Sequence, residues 1–78
     1  MSYAYVMISS ELGSEKKVVE ELELIPQVEE MYIVYGIYDI VTKVKFTDRN
    51  ELKKFVFEKI REIKHIKTTE TLETYPTT

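Results

Sequence analysis

The chain has 78 residues, with 11 Lys and Arg against 14 Asp and Glu for a net charge of -3, and 44% hydrophobic residues without Cys or Trp. That length fits one small domain, and the missing Cys excludes disulfides, thiolate metal sites and Cys nucleophiles, while a single His (His65) leaves little with which to hold zinc or haem. The acidic balance argues against direct nucleic-acid binding, which draws its affinity from a basic surface, and no apolar run approaches the roughly 20 residues of a membrane span.

A cytoplasmic location is therefore expected, with no cofactor and no metal. Lys, Glu, Ile and Val are abundant while Asn50 and Gln27 are the only side-chain amides, a composition that follows the thermophile trend. So short a chain buries a modest share of its unfolded surface, which calls for a very good core or for association with further copies.

Tyr3 to Ser9 is β-branched and aromatic, too short for a helix and bounded by Ser9-Ser10 and Gly13, so it reads as a strand. Both alternating faces are apolar, Ala4, Val6 and Ile8 on one and Tyr3, Tyr5 and Met7 on the other. Ser14 opens a helix to about Leu24, with Glu15 in its first turn and Val18, Val19, Leu22 and Ile25 at helical spacing, and Ile25-Pro26 stops it.

A second strand is expected from Val28 to Tyr35, a turn at Gly36-Ile37 and a third strand from Tyr38 to Phe46, forming an antiparallel hairpin. Asp48 caps a second helix, with Glu51 in the capping-box position and Leu52, Phe55, Val56, Ile60 and Ile63 as its apolar stripe. His65 to Tyr75, rich in Thr, completes the set as a fourth strand, and the tail past Pro76 is expected to fray.

The order β-α-β-β-α-β, with right-handed crossovers, predicts an α+β ferredoxin-like fold: a four-stranded antiparallel sheet with two helices on one face. Two helices cover one face only. Alternation would leave Tyr3, Tyr5, Met7, Met31, Ile33 and Tyr35 on the other, an apolar patch that predicts a sheet-to-sheet dimer.

Asp39 is the one acidic residue in an apolar stretch of the hairpin, and a carboxylate there needs a hydrogen-bond donor or a cation. Two roles are open to it, the commoner being to satisfy backbone N–H groups at the turn. Gly36 can serve simply as a residue with positive φ. Thr69 and Thr71 are two apart and so share a face, and Thr is also a common strand former. His65 reads as a surface or capping residue, and the Lys16/Glu20, Lys17/Glu21 and Lys54/Glu58 pairs as solvated helix faces. No phosphate loop, nucleophile elbow or acid pair on a single element appears, so no catalytic residue is assigned.

The run from Val28-Glu29 through Ile33-Val34-Tyr35-Gly36-Ile37-Tyr38-Asp39-Ile40, followed by Val44, Asp48, Glu51-Leu52, Phe55, Ile66 and Thr69-Glu70-Thr71, resembles the ligand-binding (RAM) domain of the Lrp/AsnC regulators over almost the whole chain. Full-length members carry an N-terminal helix-turn-helix domain of about 50 residues. Here Tyr3 already belongs to the first strand, so a single domain over residues 1–78 without a DNA-binding domain, the stand-alone form, is expected. The resemblance implies a homo-oligomer, dimers associating into a ring, that binds a free amino acid as effector between dimers and acts indirectly in transcriptional regulation of amino acid metabolism, by co-assembly with full-length regulators.

It also implies that Gly36 and Asp39 lie at the effector pocket with Tyr35 and Tyr38 beside them, and that Thr69 and Thr71 join from the last strand of the same or a neighbouring copy. An ammonium suits Asp39, and a carboxylate suits backbone N–H groups near Gly36 or Thr hydroxyls. The competing expectation is a dimeric α/β-barrel enzyme of oxygenase or isomerase type, which would need convergent His, Asn, Arg or Trp on the sheet face. A pure scaffold without a small ligand is a third.

Overall fold

The computed structural model describes residues 2–75 and 77; Pro76 and Thr78, in the tail expected to fray, lie outside the described residues. Its elements are β1 (Ser2–Ser10), α1 (Glu15–Glu23), β2 (Val28–Ile33), β3 (Ile40–Phe46), α2 (Arg49–Lys54) continued by a π-helical turn (Phe55–Ile60), and β4 (Ile66–Glu73). The strands form one antiparallel sheet in the order β2-β3-β1-β4, as the βαββαβ reading predicts.

β1 lies between β3 and β4, and its alternation decides which face is core. Ala4, Val6 and Ile8 are fully buried together with Val18 and Leu22 of α1, Ile40 and Val44 of β3, and Ile60. Thr42 is buried among them, and its hydroxyl donates to the Val6 carbonyl at 3.0 Å, which removes the cost of a polar group in the core.

Both helix starts fall where the sequence places them, with local differences. The Val18 N–H donates to the Ser14 carbonyl at 3.1 Å, but the Ser14 hydroxyl makes no capping bond. Asp48 does cap: its Oδ1 accepts from the Glu51 N–H at 2.9 Å, while the Glu51 carboxylate reaches back to the Thr47 N–H, one residue before the usual capping-box partner.

A regular helix through Phe55 would bring Lys59 rather than Ile60 under the sheet. The π turn, in which the Arg61 N–H donates to the Val56 carbonyl, absorbs the extra residue and lets Phe55 and Ile60 both be buried. Phe57 is left half exposed with the Arg61 guanidinium 4.7 Å from its ring centre.

The hairpin differs more. β2 ends at Ile33 and β3 begins at Ile40, so residues 34–39 form a connecting loop instead of strand ends joined by a two-residue turn. A bulge between Val28 and Glu30 also inserts one residue into β2. It shifts alternation by one, so that Met31 and Ile33 sit opposite Thr42 and Ile40 on the helix side, and Tyr32 sits opposite Val41 on the other. Met31 and Ile33 are thereby corrected from the helix-free face to the helix face, and Tyr35 to the loop.

Candidate functional site

The helix-free face is built by register. Tyr5 of β1 is flanked by Lys43 and Leu72, and Met7 by Val41 and Glu70. Tyr5, Tyr32 and Leu72 are 36%, 56% and 48% exposed, so the face retains an apolar centre open to solvent. One margin is polar: the Lys43 ammonium lies 4.5 Å above the Tyr3 ring and 3.6 Å from the Glu30 carboxylate, which also accepts from the Tyr32 hydroxyl. That hydroxyl bond is the main reason the Glu30 carboxyl is held below its usual range, and the same bond raises Tyr32.

At the other end of the face the 34–39 loop is tied to the sheet at three places. The Val34 N–H donates to the Asp39 carbonyl at 2.8 Å, closing the loop on itself, and the Asp39 N–H ties it to the Ile8 carbonyl at 2.8 Å. Asp39 Oδ2 accepts from the Ser10 N–H at 2.8 Å and from the Ser10 hydroxyl at 3.3 Å. The Tyr38 hydroxyl donates to the Glu70 carboxylate on β4, a contact that raises the Tyr38 hydroxyl above its ordinary range. Between these anchors Tyr35 is fully exposed and Ile37 is 87% exposed, while Gly36 has φ 153°. No atom crowds the position of a Gly36 Cβ, so backbone conformation and not space favours glycine there.

The six residues singled out in the sequence therefore divide. Tyr35, Gly36, Tyr38 and Asp39 share one loop at the end of β1. Thr69 and Thr71 pair with Ile8 and Val6, on the helix side of the sheet. Thr71 lines a cleft of about 210 Å³ with Leu52, Lys53, Val56, Phe57 and Glu73. A single chain thus does not bring the threonine side chains round to the loop's carboxylate. Two residues that hold the loop, Ser10 and Glu70, escaped the sequence reading; the signal for Glu70 was its parity, opposite to that of Thr69 and Thr71.

His65 has φ 74°, and its carbonyl accepts the Glu11 N–H at 2.7 Å, so it shapes the entry to β4. Among the described residues no group of three or more His, Cys, Asp or Glu could hold a metal, and no helix is long and apolar enough to cross a membrane.

Known proteins share this architecture. An uncharacterized HTH-type transcriptional regulator of Pyrococcus horikoshii, PH0140, is 41% identical over 68 residues, which cover 87% of this chain and 43% of that protein. The chain thus spans less than half the length of that regulator. TTHA0845 from Thermus thermophilus superposes with a TM-score of 0.93 at 32% identity, over 100% of this chain and 98% of its own. The transcriptional regulator NMB0573 of Neisseria meningitidis, solved as an L-Met complex, shares the fold with a TM-score of 0.89 at 15% identity, over 97% of this chain and 51% of its own. The family model for the Lrp/AsnC ligand binding domain matches residues 3–75, and the chain belongs to that family.

Proposed function

We propose that this domain is a non-enzymatic effector module: it pairs with a second copy through the helix-free sheet face, binds a free amino acid at the 34–39 loop, and acts on transcription by co-assembly with full-length regulators. The observation that carries the reading is the pairing of an open apolar face, centred on Tyr5, Met7, Val41 and Leu72, with a loop at its end that presents a carboxylate and an exposed Gly36 backbone.

Ser10 occupies only Oδ2 of Asp39, so Oδ1 has no hydrogen-bond partner among the described residues and is available to an ammonium. The effector's carboxylate would meet the backbone near Gly36 and the hydroxyls of Thr69 and Thr71 from a neighbouring copy, with Tyr35 and Tyr38 beside it. Assembly of dimers into a ring supplies that neighbour. The bound L-Met of the Neisseria regulator supports an amino acid as the ligand class. The naming of its Pyrococcus relative as a transcriptional regulator supports a sensory role over a catalytic one.

A thermal-shift panel of the twenty amino acids tests the reading. A ligand that binds only the folded state raises the melting temperature with its concentration. No shift at millimolar concentration with any of the twenty would reject effector binding by this chain.

A further inference from the structure

Besides the bonds of Asp39 to Ser10, a second side-chain contact joins the loop to the sheet face. Tyr38 starts on the loop side of β3, yet its hydroxyl reaches Glu70 on β4, so the contact passes over β1, which lies between those strands. Glu70 is opposite Met7, on the edge strand that borders the face offered for pairing. A glutamate there is exposed in the single chain and hydrated by solvent. Covering the face with a second copy removes that water, and a desolvated carboxylate must then find its donors within the protein. The Tyr38 hydroxyl is already in place, and a hydrogen bond to an ionised group strengthens as the local dielectric falls.

We propose that Tyr38 and Glu70 form a latch between the effector loop and the pairing face, so that docking of a second copy tightens the loop that carries Gly36 and Asp39. Tyr38 and Glu70 are positioning residues in this scheme, acting on Asp39 through the backbone they share with it or hold. Linkage makes the effect reciprocal: whatever orders the loop also favours pairing by the same factor. The proposal rests on the sheet-to-sheet reading above.

Hydrogen exchange of the loop peptide, residues 34–40, tests it without any ligand. It is followed over a dilution series of wild type, Tyr38→Phe and Glu70→Gln, with light scattering to report the oligomer. Wild-type loop exchange is expected to slow about tenfold as dimer forms, the change given by strengthening the Tyr38–Glu70 bond by about 1.4 kcal/mol. In either variant the slowing should disappear, and by the same linkage the dimer should still form but at about tenfold higher concentration. A wild-type dimer whose loop exchanges at the same rate as in Tyr38→Phe and in the diluted protein would overturn the latch and leave pairing intact. A wild type that stays monomeric throughout would overturn the pairing itself, and the latch with it.

Discussion

Asp39 Oδ2 accepts the backbone N–H of Ser10 at 2.8 Å, which pins the loop before β3 to the last residue of β1. The contact explains why an acidic residue is tolerated at the start of an apolar strand, and it leaves the second carboxylate oxygen for another partner.

Asp39→Asn separates these duties. An amide oxygen can still accept from Ser10, so the melting temperature should change little. The missing charge should cost an effector ammonium about 1.5–3 kcal/mol, at least a tenfold loss of affinity by calorimetric titration with whichever amino acid shifts the wild type. Equal affinity in wild type and variant would return Asp39 to a purely structural role. Thr71→Val is the parallel test of the second wall, removing a hydroxyl while keeping strand propensity.

Met7→Glu probes the sheet face. Met7 lies between Val41 and Glu70, so a second carboxylate there adds like-charge repulsion to the burial of an unpaired charge. Light scattering should find dimer or larger in wild type at micromolar concentration and monomer or unfolded chain in the variant. Unchanged mass in a folded variant would place the interface elsewhere.

The 78-residue chain, with its net charge of -3, should give no sequence-dependent gel shift at moderate salt by itself. A shift that appears only when a full-length regulator is added would support co-assembly. Specific retardation by the purified chain alone would defeat the indirect mode of action.

The polar margins give two opposite pH dependences. Glu30 is held low, chiefly by the Tyr32 hydroxyl, so its contribution to stability is present above the unfolded-state value of 4.5 and is lost as pH falls through the lower folded-state value. Tyr38 is raised, chiefly by its bond to Glu70, so its contribution is present below 10.0 and is lost as pH rises through the higher folded-state value. Tyr38→Phe should remove part of the alkaline dependence of the melting temperature and leave the acid limb alone. An unaltered alkaline limb would show that this bond does not persist in solution.

Ile60→Ala tests the π turn. Removing this fully buried side chain should cost about 2–5 kcal/mol in denaturant unfolding. Lys59→Ala should cost far less. A larger loss at Lys59 than at Ile60 would indicate a regular helix that turns Lys59 under the sheet.

Alternation in β1 alone separated Ala4, Val6 and Ile8 from Tyr3, Tyr5 and Met7, because successive side chains of a pleated strand point to opposite faces. The helical spacing of Val18 and Leu22 identified α1, Asp48 marked the start of α2, and together with the strand runs these determined the βαββαβ order and the uncovered face. Tertiary structure decided what local periodicity does not encode. The β2 bulge turned Met31 inward and Tyr32 outward, because one extra residue inverts every side chain beyond it. The sequence had Phe55 and Ile60 in one apolar stripe, and the π turn is the local adjustment by which two residues five positions apart are both buried. The partners of the loop, Ser10 and Glu70, lie 29 and 32 residues away from Asp39 and Tyr38, and only the pairing of β1 with both β3 and β4 brings them within hydrogen-bonding reach.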